Sequence, residues 1–408
     1  MSQDKQRSGL SRRSAIGLMG IGALTLAGGR RAMAQSDQPQ ADIAEPSSTV
    51  TTPPREFGPG AAPNVYFWDP DVITVDPAFQ GLAQPNAAVE RLWTGGRWVE
   101  GPAWNGVGKF LVWSDIPNNR QLRLLSEDDH VSEFRVPSNN SNGNSFDYEG
   151  RQLSCEHLTR RVVRYELDGS VTIIADSFEG KRLNSPNDVV AHTDGSIWFT
   201  DPPYGGQLYE GAPDAPGGPS NREGLIDNTL GQPPEVGEAE RELLTAVYRV
   251  TPDGNITQVI SEDQVPDPNG LCFSPDERRL YVASTGKGPG DTGEGGKGDI
   301  HVFDVETDGS LSNGRLFTDC MVDGVKCGPD GLRCDVYGNL WASSNAGRNV
   351  GYSGVTCWSP DGQLLGRIRL PEVCANLTFG GPKRNRLFMT ASQSIYSVYT
   401  ATQGAAPS

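Results

Sequence analysis

No stretch of the 408 residues approaches the roughly 20 consecutive apolar residues that a membrane-spanning helix needs. None carries the apolar spacing of a long amphipathic helix. The seven cysteines (155, 272, 320, 327, 334, 357 and 374) contain no C-x-x-C pair, and the seven-residue steps among Cys320, Cys327 and Cys334 match no zinc pattern. An odd number leaves at least one thiol without an intrachain partner; most read as small buried strand residues, with one disulfide open after export. Histidine is scarce, at four residues. His130 and His301 have no constellation around them, and His192, just before a turn, is expected to face a neighbouring strand or solvent. No G-x-S-x-G elbow is present, which argues against a serine-nucleophile hydrolase of that type. Basic residues are outnumbered 35 to 51, a net charge of −16, so nucleic acid and anionic membrane are poor partners.

What is present begins with a leader. Residues 1–34 open on a basic segment with Ser11-Arg12-Arg13, continue in a glycine-interrupted apolar run and end in Ala32-Met33-Ala34. That pattern predicts a twin-arginine signal cleaved before Gln35, hence a periplasmic or secreted protein without a membrane segment in its mature form. The leader holds six of the basic and one of the acidic residues, so the remainder stands at −21. Residues 35–63 are rich in Pro, Ser, Thr, Gln, Ala and Gly and predict a disordered linker, because they cannot bury enough apolar surface to offset the entropy of ordering.

From about Trp93 onward, short β-branched and aromatic runs alternate with turns built on Asp-Gly or Pro-Asp. Two turn series interleave: Asp253 to Asp308 is 55 residues, Asp308 to Asp361 is 53, Asp276 to Asp335 is 59 and Asp147 to Asp194 is 47. A recurring unit of that size is one four-stranded blade, and dividing the chain by it predicts an all-β propeller of about six blades over residues 64–400, with a tail at 401–408. A β-sandwich, the alternative, predicts no internal period. Two stretches interrupt the repeat: 209–242, long, acidic and Pro/Gly-rich, and 286–298, mostly glycine with charged residues. Both predict surface insertions, the first a candidate lid.

The stretch 180–206, GKRLNSPNDVVAHTDGSIWFTDPPYGG, condenses the pattern. Val189, Val190 and Ala191 predict one strand, Thr193-Asp194-Gly195 a tight turn and 196–200 the returning strand. Asn184-Ser185-Pro186-Asn187-Asp188 leads in, and Asp201-Pro202-Pro203-Tyr204-Gly205 leads out. These stiff, oxygen-rich loops suit a hard cation and are equally ordinary turn chemistry. With EGPAW (100–104), SNG (141–143), PNGLCFSPDERRLYV (268–282), GPDGLRCD (328–335), GVTCWSPDG (354–362) and CANLTFGG (374–381), the chain resembles the gluconolactonase branch of the senescence-marker-protein, gluconolactonase and luciferin-regenerating-enzyme family.

The resemblance implies a six-bladed propeller with one divalent cation on its axis, and hydrolysis of a sugar lactone such as glucono-δ-lactone to the aldonic acid. It places metal ligands at Glu100, Asn187, Asn269 and Asp330. As residue types, two carboxylates and two amide carbonyls favour Ca²⁺, with Mg²⁺, Mn²⁺ or Zn²⁺ tolerated. Asp330 is the implied base, with Asp188 and Asp201 as alternatives or as partners that orient Asn187. Asn142, Arg182, Asp201 and His157 are candidate substrate contacts; for His157 a structural role competes, since Glu156 on the same strand points the other way. A phosphotriesterase-like hydrolase on the same cation and a non-catalytic binding propeller are the alternative functions. Nothing in the sequence sets the oligomeric state.

Overall fold

The computed structural model describes residues 69–206, 242–285, 298–347 and 349–405. The expected leader and linker lie outside the described residues, as do both insertions apart from Glu242 and Gly298.

Several Asp residues of the recurring turns close their hairpins in the same way. The Asp194, Asp168 and Asp308 carboxylates accept the backbone N–H two residues on, at 2.7, 2.9 and 2.9 Å, and the intervening glycine takes a left-handed φ of +84° at Gly195 and +80° at Gly309. Turn chemistry thus sets hairpin register. The hairpins assemble into six antiparallel sheets of four or five strands, with two two-stranded ribbons beside them. Blade I comprises Val99–Asn105, Phe110–Asp115, Arg120–Leu125 and Val131–Arg135; blade II, Ser141–Phe146, Gln152–Glu156, Arg161–Tyr165 and Val171–Ala175. Blade III comprises Val189–Ala191, Ile197–Asp201, Ala246–Val250 and Ile256–Ser261; blade IV, Pro268–Phe273, Arg279–Ser284, Asp299–Val305 and Leu311–Thr318. Blade V comprises Leu332–Cys334, Leu340–Ser344, Gly354–Trp358 and Leu364–Arg369, and blade VI, Cys374–Gly380, Arg386–Ala391 and Ser394–Tyr399. The two interleaved turn series are the inner and outer hairpins of successive blades, which is why each recurs at about one blade's length.

Blade VI is completed by Glu90–Thr94, which pairs with Ser394–Tyr399 and so joins the two ends of the propeller. Upstream, Val72–Thr74 pairs with Leu364–Arg369 and covers the outer edge of blade V. Blade faces pack on one another through aromatic side chains. Trp104 of blade I stacks on Phe388 of blade VI (centroids 5.9 Å, planes 9° apart), and Trp341 of blade V meets Phe379 of blade VI edge-on at 5.6 Å. All seven cysteines are buried free thiols.

Residues 401–405, expected as part of a tail, are instead built into the fold. Ala401 N–H donates to Leu82, Val336 N–H to Gln403, Gly404 N–H to Arg384 and Ala405 N–H to Cys334, all at 2.8–3.0 Å. Their backbone finds partners on two blades, which composition alone does not reveal.

Candidate functional site

The inner strands of all six blades start at one end of the axis. Four of them carry a register shift there: between Glu100 and Ala103, Ser141 and Asn144, Pro268 and Leu271, and Cys374 and Asn376. A bulge at a strand mouth re-aims the side chain before it. Neighbouring blades meet backbone to backbone at this level: Gly143 N–H donates to Asn187 C=O (2.8 Å), Gly270 N–H to Asp330 C=O (3.1 Å) and Gly331 N–H to Ala375 C=O (2.9 Å). A Cβ on Gly270 would stand 2.0 Å from the Asp330 carbonyl oxygen, and one on Gly101 2.1 Å from that of Asn142. Gly101, Gly143, Gly270 and Gly331, each following an axial residue, have no room for a Cβ and mark points where blades touch; Asn187 and Ala375 are followed instead by Asp188 and Asn376.

This ring puts Glu100, Asn142, Asn187, Asn269, Asp330 and Ala375 at equivalent positions, one per blade. All four residues of the expected quartet belong to it, with Asn142 in the blade between Glu100 and Asn187. Glu100, Asn187 and Asp330 are each 4% exposed and Asn269 1%. Glu100 and Asn269 are strand residues, whereas Asn187 and Asp330 stand just ahead of their strands.

Charge is concentrated beneath the ring. Burial pushes the Glu100 carboxyl up to about 8, with Asp188 adding to the rise and Asn376 and Arg333 opposing it. Burial also raises Asp330 far above the carboxylate range, reinforced by the charges of Glu100 and Asp188. Asp188 is raised by burial against the pull of Arg333, whose Nη1 lies 3.6 Å from its Oδ2. Asn376 hydrogen-bonds both Glu100 and Asp188 through its side chain, while its Oδ1 accepts Leu377 N–H at 2.8 Å. Asn376 and Arg333 were not singled out from the sequence. Their signal was present in CANLTFGG and GPDGLRCD, but which neighbour a strand residue meets across the axis is decided by the closure of the ring.

The residues fit a cation. Both side-chain atoms of Asn269 and Oδ1 of Asp330 are buried with no hydrogen-bond partner among the described residues. Oxygens left bare in a buried site beside mutually repelling carboxylates are the donor set a hard cation takes. No group of three or more His, Cys, Asp or Glu among the described residues gathers as a metal cluster; the quartet supplies two carboxylates and two amides.

The other expected contacts separate. Asn142 and His157 sit together, Nδ2 to Nε2 at 3.3 Å, and burial holds the imidazole down at about 3, neutral and accepting the amide N–H. Glu156 does point away, to Arg161. Asp201 is fully buried, and its Oδ2 accepts Asn184 N–H at 2.7 Å, holding the lead-in loop of blade III. Arg182 is exposed on a two-residue strand, with Nη2 3.5 Å from Thr159 C=O. Asp188 faces Arg333 and Asn376, a role unlike the expected orientation of Asn187. Tyr204, from the DPPYG loop, is buried with its hydroxyl donating to Asp267 C=O, and the Asp330 charge helps raise it.

A cleft of about 630 Å³ lies at the opposite end, between blades III and IV. Its charges answer one another: His192 meets Asp194 at 2.9 Å and Glu277 at 3.4 Å, and Arg249 meets Asp194 at 3.0 Å. As expected, His192 faces the neighbouring blade. The His192–Glu277 contact joins the two blades, while the other two lie within blade III.

Comparison with known proteins places this geometry. Residues 98–393 match the SMP-30/Gluconolactonase/LRE-like region. The chain is 27% identical to a gluconolactonase of Zymomonas mobilis over 353 residues, 82% of this chain and 87% of that one. It is 25% identical to the pentonolactonase XacC of Haloferax volcanii over 298 residues, 72% and 81% of the two chains. A solved gluconolactonase from Xanthomonas campestris superposes with a TM-score of 0.65 at 31% identity, covering 86% of this chain and all of that one.

Proposed function

The chain belongs to the SMP-30/gluconolactonase/LRE-like family, and from that premise we propose that it is a lactonase that opens the ring ester of a sugar lactone to the hydroxy acid. Relatives named for gluconolactone and pentonolactone support the substrate class. One observation carries the site: Glu100, Asn187, Asn269 and Asp330, scattered over 230 residues of sequence, occupy one buried ring, with bare oxygens on Asn269 and Asp330.

Glu100, Asn187, Asn269 and Asp330 would hold a divalent cation, with Ca²⁺ the best match to the donor set. When bound, the cation supplies Lewis acidity toward the lactone carbonyl. The remaining work falls to side chains. Asp330 takes the proton of the attacking water as the oxygen joins the carbonyl carbon; the ring C–O bond then breaks, and its oxygen receives that proton. A carboxylate beside a dication is ordinarily a poor base. Here the charges of Glu100 and Asp188 oppose that loss, keeping Asp330 basic. The Asn142–His157 pair borders the ring in the neighbouring blade and offers an amide to a sugar hydroxyl.

Proton release from glucono-δ-lactone above the spontaneous rate tests the reading, using chelator-treated protein to which Ca²⁺, Mg²⁺, Mn²⁺ or Zn²⁺ is returned. Turnover should return with a metal and fall by at least about 100-fold in Asp330→Asn with the fold intact. If no metal lifts the rate above baseline on hexono- or pentonolactones, the lactonase reading fails; phosphotriester substrates and a non-catalytic binding role follow.

A further inference from the structure

Arg333 is a costly residue to place where it stands. It lies in the inner strand of blade V, three residues after Asp330, with 7% of its surface exposed. Its Nη1 donates to Leu332 C=O at 2.7 Å and stands 3.6 Å from Asp188 Oδ2, while Nη2 is buried without a hydrogen-bond partner among the described residues. Asp188 is fully buried. A buried ion pair contributes little net stability compared with an apolar pair of the same volume, so packing does not account for it. The pair stands beside Glu100 and Asp330, and Asn376 joins Asp188 to Glu100.

Resting on the cation reading above, we propose that Arg333 is a positioning residue that fixes the valence of the axial site. Three carboxylates (Glu100, Asp188 and Asp330) and one guanidinium leave a formal charge of −2, which one dication neutralises. Without Arg333 the site stands at −3 and suits a trivalent ion. Without Asp188 it stands at −1 and holds a dication poorly. The guanidinium, 3.6 Å from Asp188 Oδ2, offsets one of the three carboxylate charges, and Asp188 anchors the amide of Asn376 and, through it, the carboxylate of Glu100. Calcium sites are tuned by ligand charge count in this way.

The test is calorimetric titration of chelator-treated protein with Ca²⁺ and with La³⁺, for wild type, Asp188→Asn, Arg333→Met and the double variant. Asp188→Asn should weaken Ca²⁺ by at least about tenfold, the effect of removing one nearby charge. Adding Arg333→Met returns the site to −2 and should recover most of that loss. Arg333→Met alone should raise the La³⁺ to Ca²⁺ affinity ratio by about tenfold or more. That single variant strands a buried carboxylate, so the decisive comparison is Asp188→Asn with the double variant, which has no stranded charge. Equal Ca²⁺ affinities in those two overturn the role of Arg333 and leave the cation reading standing. No Ca²⁺ binding by wild type sinks both.

Discussion

Asn269 illustrates how a functional residue can work against the fold. It is 1% exposed, and neither polar side-chain atom has a hydrogen-bond partner among the described residues, a condition that costs about 1–3 kcal/mol per stranded group. Asn269→Leu removes that cost at nearly constant volume. The variant should be more stable than wild type in chelator, by about 1 kcal/mol or more, and should lose the rise in melting temperature that Ca²⁺ confers on wild type. Thermal melts of both proteins with and without Ca²⁺ decide it. His157 offers a pH test. Its native imidazole titrates at about 3, against about 6.5 for an unfolded histidine. Between those values the unfolded chain binds a proton that the folded one refuses, so this contribution is intact above pH 6.5 and is lost as pH falls. Wild type should lose about 2 kcal/mol relative to His157→Gln between pH 7 and pH 5. Urea unfolding of the pair at both pH values measures it, and parallel pH dependence would contradict the assignment.

At the scale of elements, two segments outside the repeating blades hold the ring shut. Glu90–Thr94 supplies the fourth strand of blade VI, and Trp93 packs on Trp113 of blade I at 5.6 Å. At the far end of the axis, residues 401–405 tie blade V, through Cys334 and Val336, to blade VI, through Arg384. Ending the chain at Thr400 removes the Ala401, Gly404, Ala405 and Val336 hydrogen bonds. With each of the four net bonds worth about 0.5–1.5 kcal/mol, that truncation should destabilise the protein by about 2–6 kcal/mol. Chemical denaturation of the two lengths gives the value, and an unchanged midpoint would show that the strap is dispensable.

Over the whole molecule, the excess of acidic residues sets a repulsion that the compact state must bear. The chain carries a net charge of −16, and like-charge self-repulsion destabilises a folded chain until salt screens it. The melting temperature should rise as NaCl goes from about 0.01 to 0.15 M, as the Debye length shortens from about 30 to 8 Å. Calorimetry in chelator separates this from cation binding, and a flat or falling trend would place the charges in compensating pairs.

The sequence by itself determined the local and the periodic. Asp-Gly and Pro-Asp turns, acting through side-chain oxygens two residues from the N–H they accept, set the hairpins, their spacing and so the number of blades. Glu100, Asn187, Asn269 and Asp330 were legible as a quartet through the family resemblance, and three of them, Glu100, Asn269 and Asp330, precede a glycine that close backbone approach between blades requires. Only the tertiary structure decided who meets whom across the axis. Asp188 faces Arg333, 145 residues away, rather than orienting its neighbour Asn187; Asn376 spans two carboxylates of other blades; Glu90–Thr94 and residues 401–405 join ends that a repeat cannot foresee. Turns act over a few residues through hydrogen bonds the chain makes with itself, whereas the charge balance of a buried axis is a sum over six blades that exists once they have closed.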